Sequence, residues 1–374
     1  MPDFLRKAAL AAFSLLLTLA LVEGVLRVFH LAPKQFGSGN QYVFYRFDPA
    51  LGWSNLPSAS GDFARAEFRH RVDTNSLAMR DREPTPRAAG GLAVAVLGDS
   101  FTWGLGAAYG ERYTEVMEQA DPRIDAWNYG VSGYAPVQYL LELDDVLKRK
   151  PDYVLLALCL SNDLVDNVTP VTSGYEKPWA RATGDGTRVE VAGYPLHELK
   201  SIGTRLQGES SRFVVVALLQ RWWAEFGQPE EALSIATFFR PDEELTTDER
   251  AARDNAWKVN RLLLAAIRDK VRAALGPDRL AVMLVPGKES FGMEGSKAPK
   301  GSNPATVAEG VLAQLKELSI PAIDAREVIR PEDFWQDDGH WRPSGHAKVG
   351  RMLAAWLGKA MPAAAERPAN TPQP

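Results

Sequence analysis

The sequence is poor in cysteine and has no excess of basic residues. Cys159 is the only cysteine among 374 residues, which excludes an intramolecular disulfide and a metal site built from several cysteines. It lies inside the apolar run YVLLALCL, so we expect a buried thiol that packs as a small core residue. Lysine and arginine number 43 against 47 aspartates and glutamates, a net charge of −4. Without a basic patch, a nucleic-acid partner is not expected.

A long apolar run lies close to the N-terminus. It covers residues 8–22 and extends further if Glu23 lies at a membrane interface. Arg6 and Lys7 precede it, and no convincing small-x-small cleavage site follows it. We predict that residues 1–34 form a cytoplasmic tip and a transmembrane signal anchor, which places the rest of the chain outside the cell membrane, in the periplasm. A cleaved signal peptide and a buried helix of a soluble protein are the alternatives.

The remaining chain divides by composition. Residues 35–90 mix aromatic and β-branched residues with turn formers, which predicts a small β appendage that includes FRHRVDTN and ends in the linker PTPRAAGG. Residues 91–360 form the main domain. Its regular pattern is interrupted at about 165–247 by a turn-rich segment and an apolar helical one, which we interpret as an insertion or lid. Residues 361–374 are expected to form a disordered tail.

Apolar runs alternate with helical patterns in the main domain. Runs with the continuous hydrophobicity of strands covered on both faces stand at residues 92–97, 124–129, 153–160, 280–285 and 321–323. Amphipathic patterns such as YTEVMEQA and PVQYLLELDDVLKRK lie between them. This alternation predicts an α/β fold with a parallel sheet wrapped by helices. In such sheets, ligands bind beyond the carboxyl ends of the strands.

Small and hydrogen-bonding residues follow the first three predicted strands. The first strand runs into Gly98, Asp99 and Ser100, the second into NYGVSGY and the third into SNDLVDN. Ser100 alone is explained equally well as the N-cap of a helix, a role that serine often fills. An ordinary βα loop needs only a turn and a cap. Three junctions with more hydrogen-bonding residues than that, all at one sheet edge, also raise the hypothesis that Ser100 is a nucleophile.

A histidine near the C-terminus suits the role of general base. The stretch FWQDDGHWRPSGH places His340 just before a helical pattern, with Asp337 and Asp338 directly upstream. A histidine that activates a serine needs a carboxylate on its far ring nitrogen, which fixes the tautomer and stabilises the imidazolium. A carboxylate two or three residues away on a tight loop can provide this contact, so both aspartates are candidates.

Four motifs together resemble those of the SGNH hydrolases, also called GDSL esterases. GDSFTWG is similar to the family's first block, NYGVSG to the second, SND to the third and DDGHW to the last, in the family's order. The resemblance covers about residues 93–356. It implies a flavodoxin-like three-layer sandwich with a central parallel sheet, and chemistry through an acyl-enzyme that needs no metal and no organic cofactor.

The resemblance implies a role for each matched residue. Ser100 would be the nucleophile, and His340 would take its proton. The backbone N–H groups of Ser100 and Gly133 and the side-chain amide of Asn162 would form the oxyanion hole.

The triad acid stays open between two residues. The usual family spacing, Asp-x-x-His, selects Asp337, whereas membrane-anchored relatives with a DGHW-like ending use Asp-x-His, which selects Asp338. We favour Asp338 slightly and keep Asp337 as a candidate. The chain departs from the family pattern in SND, where Gly-x-Asn-Asp is common, and in His-Trp-Arg, where His-Pro-Asn is common. Upstream, NSLAMRDRE resembles the Asn-Ser-x-Gly-x-Arg segment of anchored relatives, with Ala78 at the glycine position.

Other suggestive features are interpreted as structural. Asp99 is expected to be a hydrogen-bonding turn residue. His346 follows His340 by six positions rather than four, so no zinc pair is predicted and His346 is expected to pack at a helix start. GLGAAYG has the wrong glycine spacing for a dinucleotide site, and the Gly-x-Ser-x-Gly elbow of ordinary α/β-hydrolases is absent.

The resulting expectation is a membrane-tethered, serine-dependent esterase or O-acyltransferase. Its substrate is expected to be a small-molecule or polysaccharide ester, with an ester of a cell-envelope carbohydrate as the first candidate by analogy with anchored relatives. Hydrolase and transferase share every residue named above. A catalytically silent module that binds glycans or assists assembly is the alternative, and a Rossmann-type cofactor enzyme is a third. The oligomeric state is not predicted.

Overall fold

The structure is a computed structural model of the chain, and it describes residues 3–28, 44–85, 90–172, 175–196, 215, 233–296 and 298–361. The chain divides into two compact units. One comprises residues 1–42, 63–69 and 199–231, and the other comprises residues 43–62, 70–198 and 232–374. Parts of the predicted anchor segment, linker and insertion, and the predicted tail from residue 362 onward, lie outside the described residues.

The first unit contains helix α1 (Asp3–Val28). The helix has a mean hydropathy of 2.2 over 18 residues and is long and apolar enough to cross a membrane, a property that signal sequences share. Near its end, Glu23 pairs with Arg27 at 2.7 Å and accepts a hydrogen bond from the backbone N–H of Val215 at 3.0 Å. The predicted N-terminal apolar helix is therefore present, and its length and composition fit either a membrane anchor or a signal sequence.

Two short antiparallel hairpins precede the main sheet. Strand β1 (Tyr45–Asp48) pairs with β2 (Gly52–Asn55), and β3 (Ser60–Ala64) pairs with β4 (Arg69–Asp73). Strand β4 alternates between exposed and buried residues, the period-two pattern that identified FRHRVDTN as a strand. The predicted small β appendage is confirmed.

The main domain alternates strands and helices. Its helices are α2 (Ser100–Trp103), α3 (Tyr113–Ala120), α4 (Pro136–Lys148), α5 (Asp163–Asp166), α6 (Thr247–Leu275), α7 (Thr306–Glu317) and α8 (Pro343–Ala360). Its strands are β5 (Leu92–Gly98), β6 (Ile124–Gly130), β7 (Tyr153–Cys159), β8 (Val171–Thr172), β9 (Tyr175–Glu176), β10 (Trp179–Ala182), β11 (Val189–Ala192), β12 (Leu280–Val285) and β13 (Ala322–Asp324).

The central sheet has five parallel strands in the order β13-β12-β7-β5-β6. Numbered along the chain, this is the 2-1-3-4-5 order of flavodoxin-like folds. The direction of winding reverses between β5 and β7, so the loops that follow these two strands diverge and leave a crevice at the carboxyl edge. The motifs GDS and SND follow these two strands.

Both faces of the sheet are buried by helices. One face packs against α4, α6 and α7 in a cluster that includes Leu97, Tyr139, Leu156, Leu264 and Val311. The other face packs against α3 and α8 in a cluster that includes Val96, Tyr113, Leu155 and Leu353. Successive strand residues point to opposite faces, which is why β5, β7 and β12 are continuous apolar runs without polar alternation. The predicted α/β three-layer fold is confirmed.

Helix α6 begins earlier than its apolar pattern indicates. The amphipathic pattern ARDNAWKVNRLLLAAIRDKVRAAL starts at Ala252, whereas the helix begins at Thr247. Thr246 caps it, since its hydroxyl accepts the N–H of Glu249 at 3.2 Å and the Glu249 carboxylate accepts the N–H of Thr246 at 2.8 Å. This capping box adds a polar first turn that hydrophobic periodicity does not detect.

Candidate active site

Ser100 is the first residue of α2, directly after β5. The helix is capped by Asp99, whose carboxylate accepts the N–H of Phe101 at 2.9 Å, so the capping role that the sequence allowed for Ser100 belongs to Asp99. Gly98 fits the turn because a Cβ there would lie 1.9 Å from Thr102 Oγ1. The hydroxyl of Ser100 is thus not used as a cap.

His340 lies beside Ser100. Its Nε2 atom is 2.7 Å from Ser100 Oγ, although the two residues are 240 positions apart in sequence. His340 precedes α8, and the chain before it is held by a hydrogen bond from the Trp335 N–H to the His340 carbonyl at 3.0 Å. The imidazole ring packs on Phe101, with the ring centres 4.8 Å apart. These contacts orient one ring nitrogen toward the serine hydroxyl.

Asp338 contacts the other side of the same imidazole. Its Oδ1 atom lies 2.5 Å from His340 Nδ1 and also accepts the backbone N–H of His340 at 3.0 Å. The side chains of His340 and Asp338 are 22% and 16% exposed, so the pair is only partly shielded from water. Of the two candidate acids, Asp338 therefore makes the hydrogen bond to His340 Nδ1, and Asp337 does not occupy that position.

Gly133 lies in the turn after β6, the strand beside β5. Its φ of +79° is a conformation that glycine adopts at little cost. The turn is tied to β5 by a hydrogen bond from Val131 N–H to the Gly98 carbonyl at 3.1 Å. Among the residues that the structure describes, none accepts a hydrogen bond from the Gly133 N–H. A backbone donor is therefore available next to the start of α2.

Asn162 follows β7, the other neighbour of β5, and occupies the N-cap position of α5. Its side-chain amide nitrogen donates to Asp166 Oδ2 at 2.7 Å and lies 3.4 Å from Asp163 Oδ1. The carboxyl ends of β6, β5 and β7 thus bring Gly133, Ser100 and Asn162 to one edge of the sheet. This edge is where the predicted parallel sheet was expected to hold its site.

Buried acidic groups lie beneath this edge. Asp99 is 2% exposed, and burial raises its pKa to about 6, although the Phe101 N–H and His340 act to lower it. Asp163 is fully buried, and burial and the Asp99 carboxylate raise its pKa well above the ordinary range. Its Oδ2 atom accepts the Cys159 N–H at 2.9 Å. Asp99 thus accepts an N–H of α2, and Asp163 accepts the N–H of the last residue of β7, so the two carboxylates support the segments next to Ser100 and Asn162.

The remaining predicted structural residues are also accounted for. His346 is fully buried, stacks on Tyr113 with ring centres 6.0 Å apart and has its pKa lowered to about 3 by burial, so it is a neutral packing residue. Cys159 is a buried free thiol, as expected. Within the described ranges, no group of three or more histidine, cysteine, aspartate or glutamate side chains is arranged to hold a metal ion.

Several neighbours of the site were not singled out by the sequence. Trp53 of β2 donates from its indole N–H to the Ser132 carbonyl at 2.9 Å, and its ring lies 3.1 Å from where a Cβ of Gly133 would stand. The Tyr175 ring packs on Trp53 with centres 6.1 Å apart. Arg80, which falls in the NSLAMRDRE segment, donates to the carbonyls of Trp103, at the end of α2, and of Gly104 and Ala107, in the turn that follows. Of these residues, only Arg80 could have been found from the sequence, because its segment resembles the Asn-Ser-x-Gly-x-Arg segment of anchored relatives.

Three solved structures that resemble the chain are 13–14% identical to it. A lipolytic-family G-D-S-L protein from Desulfitobacterium hafniense DCB-2 is 14% identical with a TM-score of 0.34, and the alignment covers 71% of this chain and 99% of that one. A psychrotrophic esterase from Pseudoalteromonas sp. is 14% identical (TM-score 0.37, 71% and 97% covered), and an aryl esterase from M. smegmatis is 13% identical (TM-score 0.38, 72% and 100% covered). No curated protein matches the chain.

A sequence model of one family matches most of the main domain. It covers residues 96–348, from the strand before Ser100 to the helix after His340, and spans more than half of the chain. All four motifs that predicted the resemblance lie inside this range. The chain therefore belongs to the GDSL-like lipase/acylhydrolase family.

Proposed function

We propose that the protein is a membrane-anchored serine esterase or O-acyltransferase of the GDSL family that acts on an ester of a cell-envelope carbohydrate. Family membership indicates ester hydrolysis through a serine. The observation that carries the proposal further is the hydrogen-bonded series Ser100 Oγ, His340 and Asp338, with distances of 2.7 Å and 2.5 Å. A serine, a base and an orienting carboxylate in hydrogen-bond contact form the arrangement that activates a serine hydroxyl.

In the proposed reaction, Ser100 Oγ attacks the ester carbonyl carbon while His340 Nε2 accepts the serine proton. The negative charge that develops on the carbonyl oxygen is stabilised by the N–H groups of Ser100 and Gly133 and the amide of Asn162. Collapse of the tetrahedral intermediate breaks the bond to the alcohol, which leaves with the proton from His340. An acyl group is then bound to Ser100.

The second half of the reaction regenerates Ser100. Water, or the hydroxyl of an acceptor, gives its proton to His340 and attacks the acyl-enzyme. The serine oxygen then leaves and recovers a proton from His340. Throughout, the Asp338 carboxylate holds His340 Nδ1–H and stabilises the imidazolium that forms in each half. Hydrolase and transferase differ only in which hydroxyl enters at this stage.

A carbohydrate substrate is supported by the aromatic side chains near Gly133. Trp53 and Tyr175 are half-buried, and both come from segments added to the αβ core, the appendage and the insertion. Flat aromatic rings with a polar edge offer an apolar surface to the C–H face of a sugar ring. The membrane anchor is supported by the length and hydropathy of α1, with Arg6 and Lys7 on the cytoplasmic side.

The test is labelling of the purified full-length protein with a serine-reactive fluorophosphonate, beside Ser100→Ala and His340→Ala. We expect the wild type to be labelled and both variants to lose labelling, because only an activated serine reacts at neutral pH. A folded wild type that is not labelled would contradict the proposal and favour the catalytically silent module. Turnover of acetylated sugars with and without added acceptor hydroxyls then separates hydrolysis from transfer.

A further inference from the structure

The amide of Asn162 is held by a residue one helical turn away. Its Nδ2 atom donates to Asp166 Oδ2 at 2.7 Å, and the Asp166 N–H donates to the Asn162 carbonyl at 2.8 Å. Asp166 is 8% exposed, so water competes little for this contact. A carboxylate that accepts one amide N–H fixes the rotation of the amide group and hence the direction of its second N–H.

Asp166 is itself fixed by the first hairpin of the insertion. The hydroxyl of Thr172 in β8 donates to the second carboxylate oxygen, Oδ1, at 2.6 Å. The ammonium group of Lys177, which is 1% exposed, donates to the backbone carbonyl of Asp166. The Lys177 N–H in turn donates to the Pro170 carbonyl at 2.9 Å. Both oxygens of the Asp166 carboxylate and its backbone are therefore engaged.

The charges of Asp166 and Lys177 together are compatible with an oxyanion site beside Asn162. A lone carboxylate behind an oxyanion donor would disfavour negative charge on the substrate. Burial lowers the pKa of Lys177 to about 8, while Asp166 acts to raise it, so the group is still largely protonated at neutral pH. The positive charge of Lys177 offsets the negative charge of the Asp166 carboxylate.

We infer that Asp166 and Thr172 are positioning residues that orient the Asn162 amide toward the developing oxyanion. The inference rests on the proposed function, because it assigns to that role the second N–H of Asn162, which makes only a long contact of 3.4 Å to Asp163 Oδ1. Preorganised donors are effective because they do not have to reorient as charge develops, and removing a whole donor costs about 10²–10³ in kcat. Loosening the donor should cost a part of this, with little effect on substrate binding.

The cleanest variant is Thr172→Val, which removes the hydroxyl but keeps the shape of the side chain. We expect kcat to fall about tenfold with KM within about twofold, since a positioning effect is a fraction of the loss of a whole donor. Thr172→Ser restores the hydroxyl and should restore kcat. Asp166→Asn leaves one side-chain oxygen for two donors, so its kcat should fall further. Thr169→Val is the matched control, because the Thr169 hydroxyl donates to the Val165 carbonyl at 3.1 Å and, among the described residues, to no side chain of this cluster.

A second measurement separates positioning from general destabilisation. A boronic acid forms a tetrahedral adduct with the active serine and places an oxygen in the oxyanion hole. Its inhibition constant should rise in proportion to the loss of kcat across the Asp166 and Thr172 variants, with Tm and KM nearly unchanged. If Thr172→Val is as active as Thr169→Val, or if boronate affinity stays constant while kcat falls, the inference is wrong.

The same series keeps the inference distinct from the proposed function. Ser100→Ala, measured alongside, should have no activity and should not bind the boronate covalently. Activity that persists in Ser100→Ala would overturn the proposed function and, with it, the role of Asn162. Activity that depends on Ser100 but is indifferent to Thr172 and Asp166 would overturn the positioning inference alone.

Discussion

At the scale of single residues, the two hydrogen bonds of the candidate triad differ in sequence separation: one joins neighbours in the chain, and the other joins distant residues. Asp338 and His340 are two positions apart, whereas Ser100 reaches His340 only through the fold. The sequence predicted the residue types and their order but left Asp337 and Asp338 open. The choice depends on a turn in which Asp338 Oδ1 also accepts the His340 N–H. Aspartate favours such turns at either position, so the residue types alone do not distinguish Asp337 from Asp338.

Separate substitution of the two aspartates by asparagine should therefore have unequal effects on kcat. Asp338→Asn replaces the acceptor at His340 Nδ1 with a group that can favour the wrong tautomer, and we expect kcat to fall about 10³–10⁴-fold. Asp337→Asn changes a neighbouring carboxylate that does not occupy that position and should lower kcat less than about threefold. Steady-state hydrolysis of a short aryl ester measures both. Equal losses in the two variants, or a greater loss in Asp337→Asn, would assign the acid to the other residue.

Glu142 of α4 is a second residue with a clear expected effect. Its Oε2 atom is buried without a hydrogen-bond partner among the described residues. Burial, with smaller contributions from the carboxylates of Asp145 and Asp48, raises its pKa to about 8. The folded state thus holds a proton that the unfolded chain loses near its ordinary pKa of 4.5. The free energy of unfolding must therefore fall as the pH rises from about 4.5 to about 8.

Glu142→Gln removes this titration. We expect the stability of the variant, relative to the wild type, to increase by about 1–3 kcal/mol between pH 5 and pH 8, since a tenfold change in an acid dissociation constant corresponds to about 1.4 kcal/mol. Urea unfolding at the two pH values measures the difference. Glu332→Gln, at an exposed position, is the matched control for the exchange of a glutamate for glutamine. A relative stability of Glu142→Gln that is constant with pH would contradict the prediction.

At the scale of elements, the strands and helices that bury the most apolar surface are the ones that the sequence predicts best. Strands β5, β7 and β12 are buried on both faces, so their runs were visible and their bounds agree closely with the structure. The hairpin of β8 and β9 has strands of two residues each, too short for any periodicity. Its Thr172, which holds Asp166, could not be found from the pattern. The apolar helical part of the insertion lies largely outside the described residues, so that prediction stays open.

The turn after α2 depends on a residue outside the range that the family model matches. Arg80 is 2% exposed, and its guanidinium donates to the carbonyls of Trp103, Gly104 and Ala107 at 2.8, 2.7 and 2.9 Å. It also stacks over the Trp103 ring at 4.3 Å. The segment before β5 therefore supports the far end of the helix that begins at Ser100.

Arg80→Ala should consequently lower both stability and turnover. It removes the Arg80 donor from the buried carbonyls of Trp103 and Ala107, while the Gly104 carbonyl keeps the Ala107 N–H at 3.1 Å. We expect a loss of about 3 kcal/mol in the free energy of unfolding. Arg80→Lys should recover only part of this, because an ammonium group cannot match a planar fork. Arg71→Ala is the control, since the Arg71 side chain is 68% exposed. Urea unfolding and kcat measure the effects, and Arg80→Ala behaving like Arg71→Ala would contradict the role.

At the scale of the whole molecule, the open question is on which side of a membrane the main domain lies. Helix α1 fits a membrane span, and Arg6 and Lys7 precede its apolar run. The chain has one cysteine, Cys159, which is 1% exposed and in the core of the sheet. The folded protein should therefore react slowly with thiol reagents, so that a new surface cysteine reports its own location.

Two single-cysteine additions test the topology in spheroplasts that express the full chain. Lys316→Cys lies on the exposed face of α7 and should react with a membrane-impermeant maleimide in intact spheroplasts, because the positive-inside rule places the main domain outside. Asp3→Cys, before Arg6 and Lys7, should react only after lysis. The wild type, labelled in parallel, corrects for Cys159. Labelling of Lys316→Cys only after lysis would reverse the proposed orientation. Recovery of a shortened protein from the medium would instead show that α1 is a cleaved signal sequence.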